Sequence, residues 1–169
     1  MTKLIRGLAL AGAALMMLAG SAQAQGQPAA AFELISAAEA QREGQAVAEA
    51  PPEIRARGAA APREDATSIR VVSPTAAAGA GVAAPIRIEA AFKAAPGARI
   101  VPGTFRVLYG LLKIDLTDRV KPNATVTESG VVVEGAQVPD GQHRLILQVG
   151  DDQGNMAEQE LRIRVGAAS

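Results

Sequence analysis

The chain of 169 residues contains no cysteine. Disulfide bonds, thiolate metal sites and a cysteine nucleophile are therefore excluded, as is the lipid-modified cysteine of a lipoprotein. Stability has to come from the burial of apolar side chains, which make up 49% of the sequence. The length suits one domain of ordinary size with an appendage.

Aromatic residues and charge of one sign are also scarce. The chain has no tryptophan, one tyrosine and three phenylalanines, and its 17 basic residues balance its 17 acidic ones. No basic surface for nucleic acid or for anionic lipid is expected from this balance. The single histidine, without any cysteine, is a poor basis for a transition-metal site. We therefore expect no cofactor and no nucleic-acid partner.

The first 24 residues have the order of a secretory signal peptide. Lys3 and Arg6 form a basic start, an apolar run extends from Leu8 to Ala19, and Ala22-Gln23-Ala24 supplies the small residues of a cleavage site. The run is shorter than the roughly 20 apolar residues that span a bilayer. We predict cleavage after Ala24 and a bacterial periplasmic or secreted protein, with no membrane span after cleavage.

Residues 25–66 are rich in alanine, glutamate, glutamine, arginine and proline. Ser36 with Glu39 three positions later is a capping box, which predicts a short helix over Ser36 to Ala48. Pro51-Pro52 ends this helix, and the Pro/Ala-rich residues that follow predict a flexible linker. The stretch has one cluster of large apolar side chains, at Phe32, Leu34 and Ile35. Whether residues 25–66 dock on the following domain stays open.

Residues 67–169 alternate between apolar and polar positions with period two. Turn residues recur at a spacing of roughly 8–12 residues, a pattern typical of an antiparallel β-sandwich. We predict an all-β domain of about seven or eight strands. The predicted strands are Ile69 to Ser73, Pro85 to Phe92, Phe105 to Tyr109, Ile114 to Thr117, Ala124 to Thr127, Val131 to Glu134, His143 to Val149 and Glu160 to Val165.

Four stretches of this domain carry a resemblance: Phe105 to Gly110, Ile114 to Thr117, Val138 to Leu145, and Gly150 to Asn155. Together they resemble the bacterial immunoglobulin-like domains of extracytoplasmic proteins. The resemblance implies an immunoglobulin-like sandwich whose last strand follows the Asp-x-x-Gly-Asn turn. The chain differs from antibody-type domains in having neither a cysteine pair nor a core tryptophan. Domains of this kind serve adhesion, display, enzyme spacing and binding.

Two leucines between predicted strands mark a possible interaction surface. Leu111 and Leu112 follow a glycine, where a solvent-facing connection would normally be polar. One interpretation is that they close the end of the core. The other is an exposed apolar patch for a protein partner, with Tyr109 and Lys113 at its polar edge.

His143 shares strand register with the apolar residues that follow it, so we expect it to face inward. In related sandwiches a tyrosine often ties this strand to the preceding turn, and a histidine ring nitrogen can bond backbone in the same way. We expect a structural role for His143, together with Asp140 and Gly141 of that turn.

Carboxylates offer two further candidates. Asp151, Gly154 and Asn155 are expected to form a structural turn, with a calcium site as the alternative. Asp115, Asp118 and Glu128 could be imagined as hydrolytic carboxylates, but nothing fixes their spacing. No nucleophile elbow, phosphate loop or metal-ligand pair is present in the sequence.

These observations favour a non-enzymatic, secreted or periplasmic immunoglobulin-like module. It would serve protein interaction or envelope structure, with an unknown protein partner in the cell envelope. A small carbohydrate or cell-wall-glycan binder is the alternative, although the scarcity of aromatic residues disfavours it.

Export provides the first test. Protein recovered from the periplasm is expected to begin at Gln25 when its N-terminus is sequenced, because Ala22-Gln23-Ala24 fits the signal-peptidase site. Intact chains that retain Met1 and accumulate in the cytoplasm would contradict the prediction.

Overall fold

The computed structural model describes residues 31–51, 65–74 and 81–166. Residues 1–24, for which we predict a signal peptide, and residues 52–64 of the predicted linker lie outside this range. The helices are α1 (Ala37–Glu49), α2 (Thr117–Val120) and a 3₁₀ turn at Lys121–Asn123. The strands are β1 (Phe32–Glu33), β2 (Ser68–Ser73), β3 (Ile86–Lys93), β4 (Ile100–Tyr109), β5 (Ile114–Asp115), β6 (Ala124–Val126), β7 (Gly130–Gln137), β8 (Gly141–Asp151) and β9 (Met156–Val165).

The strands form two sheets, so the all-β prediction is confirmed. One sheet has the order β1-β7-β3-β2, with β6 also paired to β7, and the other has the order β5-β4-β8-β9. Neighbouring strands are antiparallel except β1, which runs parallel to β7. No helix within the described ranges is long and apolar enough to cross a membrane.

A single apolar core lies between the sheets. The alternation along β3 buries its even-numbered residues Ile86, Ile88, Ala90 and Phe92 in the core. The odd-numbered residues between them face away from the core. The ring of Phe92 contacts the ring of Phe105 on β4 of the opposite sheet, with centroids 5.9 Å apart. Apolar side chains from both sheets therefore stabilise one shared core.

Several elements differ from the sequence-based expectation, and β7, β8 and β9 are longer than predicted. Strand β4 begins at Ile100, five residues before the predicted start, because the Pro102-Gly103 pair lies in a bulged part of the strand opposite β8. The strand predicted over Ile114 to Thr117 is β5, which ends at Asp115 and is followed by helix α2. Strand β1 was not predicted, since its two residues pair only with a distant strand.

The N-terminal segment, residues 31–51, docks on the two sheets. Its helix begins at the predicted N-cap: the Ser36 hydroxyl accepts from the Glu39 amide, and the Glu39 carboxylate accepts from the Ser36 amide. Leu34 and Ile35 belong to the core shared by the sheets. Residues 31–51, whose docking the sequence left open, are thus integrated into the domain.

Replacing Leu34 by alanine is expected to lower the free energy of unfolding by about 2–5 kcal/mol, because its side chain is 0% exposed in the core. Val47→Ala in the same segment is the matched control. Val47 is 38% exposed, so its loss should cost no more than about 0.5 kcal/mol. Urea unfolding of both variants measures the difference, and equal losses would show that the segment does not dock through Leu34.

Candidate functional site

The residues of the predicted interaction patch separate into buried and exposed groups. Tyr109, at the end of β4, is buried in the core and does not form the edge of a surface patch. Strand register explains this placement, because Tyr109 continues the inward alternation of Phe105 and Val107. Leu111 is half-buried, whereas Leu112 is 58% exposed and Lys113 is exposed.

Residues 110–113 form the β4–β5 turn, and hydrogen bonds fix its backbone. The Gly110 amide donates to the Arg144 carbonyl at 2.9 Å, and the Lys113 amide donates to the Gly110 carbonyl at 3.3 Å. Gly110 has φ +71° and Lys113 has φ +50°. A left-handed lysine is uncommon and strained. The turn therefore has a defined shape that holds Leu112 outward.

Glu43 of helix α1 holds the turn from the other side. Its carboxylate oxygens lie 2.8 Å and 2.9 Å from the Leu111 amide nitrogen, which donates to them. A Cβ atom on Gly110 would lie 2.0 Å from Glu43 Oε2, so a larger residue here would displace the Glu43 carboxylate. Glu43 is 5% exposed and is the buried side chain of α1. Its role was not predicted, since its partner is 68 residues away.

A second carboxylate of α1 fixes the start of the helix. Glu39 forms a two-pronged ion pair with Arg119 of α2, with N–O distances of 2.9 Å and 3.1 Å. The Arg119 guanidinium also donates to the Leu34 carbonyl at 2.8 Å. The hydrogen bond from Arg119, with those from Ser36, lowers the pKa of Glu39 to about 2.

His143 lies beneath the turn, in the inward position that its register predicts. Its Nε2 is 2.8 Å from the Pro139 carbonyl oxygen, and its Nδ1 is 3.0 Å from the Tyr109 hydroxyl. The carbonyl can only accept, so Nε2 carries the proton and Nδ1 accepts from Tyr109 in the neutral ring. Burial lowers the pKa of His143, although the Pro139 bond and the nearby Glu43 oppose the change.

Tyr109 is buried in the same polar group. Burial is the main cause that raises the pKa of its hydroxyl to about 12, and the negative charges of Glu43 and Glu39 add to the effect. The hydroxyl therefore stays protonated over the physiological range and donates to His143.

The turn before β8 places Gly141 at φ +134°, while Asp140 is exposed beside Gly166.

At the opposite end of β8, the Asp151 carboxylate organises a turn. It accepts from the backbone amides of Gln153 and Asn155 at 3.1 Å and 2.8 Å and from the Asn155 side chain. The Thr67 hydroxyl also donates to it, and this bond is the main cause that lowers the pKa of Asp151. Gly154 takes φ +84° in this turn. The oxygens of Asp151 are thus engaged by protein donors.

The remaining acidic candidates do not share a site. The Thr117 side chain, and then the Thr117 amide that donates to Asp115 at 2.8 Å, lower the pKa of Asp115. Asp118 lies 3.4 Å from the Lys121 ammonium. Glu128 is exposed in the connection before β7. Within residues 31–51, 65–74 and 81–166, no three acidic, histidine or cysteine side chains form a group that could hold a metal ion.

Charged side chains surround the β4–β5 turn on the outer face of the second sheet. The Lys113 ammonium lies 3.8 Å from Glu158 on β9, so its side chain extends across that face. Arg144 of β8 pairs with Glu160 of β9 at 2.7 Å. Leu112 is therefore an apolar residue at the rim of a charged surface.

The sequence matches no protein-family model and no curated protein. The fold and the geometry of the turn therefore carry the functional argument.

Lowering the pH from about 7 to about 5 is expected to destabilise the protein through His143. The folded state depresses the pKa of this side chain below its usual 6.5, so its contribution to stability is present above 6.5 and is lost as the pH falls. The loss cannot exceed about 1.4 kcal/mol per pH unit.

The measurement is the free energy of unfolding against pH for the natural chain and for His143→Phe. The difference between them should shrink below pH 6.5, whereas parallel profiles would contradict the assignment. The carboxylates whose pKa values are lowered titrate at lower pH, so they do not account for a change in stability between pH 7 and pH 5.

Proposed function

We propose that this chain is an extracytoplasmic, non-enzymatic immunoglobulin-like domain that binds a protein partner in the bacterial envelope. The β4–β5 turn is the binding element of this proposal. The observation that supports it is the exposed Leu112 side chain, which lies on a backbone held in place by three hydrogen bonds.

The strand order supports an immunoglobulin-like sandwich. The sequence β2-β3-β7-β6 corresponds to the A-B-E-D sheet of that fold, and β5-β4-β8-β9 corresponds to the sheet that contains C, F and G with an added edge strand. His143 lies near the start of β8, the equivalent of strand F, and bonds a carbonyl four residues upstream. A tyrosine makes a comparable backbone bond in many such domains.

The fixed shape of the turn supports a role in binding. A turn whose backbone is already held in one shape loses little conformational entropy when a partner covers it. Leu112 supplies the apolar contact, half-buried Leu111 extends it, and Lys113 supplies charge at its edge. Burying the exposed part of one leucine gives at most about 1.5–3 kcal/mol, so the partner must also contact the charged surface nearby.

A glycan-binding function has less support. Sugar rings usually stack on exposed aromatic side chains, yet Phe92, Phe105 and Tyr109 are buried in the core and Phe32 is half-buried.

The extracytoplasmic location is an inference from the signal-peptide pattern and the lack of cysteine.

Site-specific photo-crosslinking in cells tests the binding surface. A photoreactive amino acid at position 112 should give discrete protein adducts, whereas the same group at position 72 should not. Val72 is a matched control because it is 41% exposed but lies on β2, in the other sheet. Adducts at both positions alike, or at neither, would contradict the proposal.

Leu112→Asp should remove most of the adducts formed from a photoreactive group at the neighbouring position 111. Its effect on the free energy of unfolding should stay within about 0.5 kcal/mol, since the side chain is exposed. A folded variant with undiminished adducts would show that Leu112 does not contact the partner. Unfolding of the variant would show that Leu112 belongs to the core.

A further inference from the structure

The outward side chains of β9 separate their charges along the strand. The odd-numbered positions supply core residues, so the even-numbered side chains face away from the core. Among these, the carboxylates come first and the guanidiniums follow, in the order Glu158, Glu160, Arg162 and Arg164. Strand β9 pairs with β8 in continuous register, so this order is also an order across the outer face of the sheet. The face therefore has an acidic part and a basic part.

The basic part lies beside the β4–β5 turn. The Gly110 amide donates to the Arg144 carbonyl, and Arg144 is the register partner of Arg162. Because neighbouring strands lie about 4.8 Å apart, the backbone of Arg162 is about 10 Å from Gly110. A protein that covers Leu112, two residues after Gly110, therefore also reaches the basic part of the face.

The carboxylates of the acidic part are already bound to cations of the same chain. Glu160 pairs with Arg144 at 2.7 Å and also with Arg162. Glu158 lies 3.8 Å from the Lys113 ammonium. Since one carboxylate is shared by two guanidiniums, the surface beside the turn keeps an excess of positive charge.

Arg164 adds to this excess. Its side chain is exposed near the end of β9, in register with Gln142. In the part of the chain that the structure describes, no carboxylate forms an ion pair with it, and Asp140 at this end of β8 lies beside Gly166 instead. Burying a guanidinium without an opposite charge is costly. A partner that covers this surface therefore has to supply carboxylates of its own.

We infer that the partner of the β4–β5 turn is a protein with an acidic surface. It packs an apolar pocket on Leu112 and pairs its carboxylates with Arg164 and Arg162. The inference rests on the proposed function, which places a protein at the turn. Complementary charge at the edge of an interface fixes the orientation of the partner and speeds its association.

Two other occupants fit this surface less well. A second copy of the chain would have to offer Glu158 and Glu160, and both are bound to cations of their own chain. A membrane of anionic lipid is bound by clusters of roughly four to eight cations. Here two of the cations share one carboxylate, so the free positive charge is smaller than such a cluster supplies.

Reversing the charge of Arg164 tests the acidic partner in cells. With the photoreactive amino acid at position 112, Arg164→Glu should lower the yield of protein adducts several-fold, because it repels the partner's carboxylates. Arg164→Lys keeps the charge and should retain most of the yield.

Arg70→Glu is the matched control and should leave the yield unchanged. Arg70 is also exposed and has no ion pair among the described residues, but it lies on β2 in the other sheet. Because both arginines are exposed, neither reversal should shift the midpoint of urea unfolding.

Equal adduct yields with Arg164→Glu and Arg70→Glu overturn the acidic partner, while binding at the turn stands. A complete lack of adducts from position 112 refutes the proposed function and this inference with it. The peptide attached to position 112, identified by mass spectrometry, should come from another protein and lie beside aspartate or glutamate residues. A peptide without acidic neighbours in the partner's structure overturns the inference.

The mass of the adduct identifies the other occupants. An adduct at twice the mass of the chain shows a second copy and overturns the inference. Purified protein with the photoreactive group at position 112 is also mixed with vesicles of phosphatidylethanolamine and phosphatidylglycerol. It should give no more lipid adduct than the same group at position 72, and a clear excess at position 112 shows a membrane surface instead.

Discussion

Burial of apolar side chains between the two sheets is the interaction on which the rest of this structure depends. With no cysteine, the chain has no covalent cross-link to offset its conformational entropy. The core therefore has to recruit side chains from every part of the described chain, including Leu34 and Ile35 from before the first long strand. This requirement explains why a short N-terminal segment is integrated into the domain.

Polar contacts then fix the position of helix α1 and the shape of the β4–β5 turn, which apolar packing alone does not determine. Apolar contacts are non-directional, whereas the bonds of Glu43 and Arg119 specify where helix α1 lies and how the β4–β5 turn is shaped. His143 and Tyr109 complete the buried polar group beneath that turn. The same contacts hold Leu112 outward and attach the N-terminal segment to the domain.

Sequence reasoning was most reliable where a pattern is local. The alternation in β3, β8 and β9 and the capping box at Ser36 depend on residues within a few positions of one another, and the structure has each of them. It was least reliable at Glu43 and Tyr109. Glu43 is one of several carboxylates on its helix, and its partner is the Leu111 backbone amide, which no sequence pattern reveals.

The all-β class, the inward faces of the main strands and the start of the N-terminal helix follow from the amino-acid sequence, because hydrophobic period and cap chemistry are local properties. The pairing of β1 with β7, the burial of Tyr109 beside an exposed Leu112, and the bond between Glu43 and Leu111 arise from the three-dimensional packing. Those features depend on contacts between segments that are distant in sequence, and local sequence patterns do not indicate which distant segments come into contact.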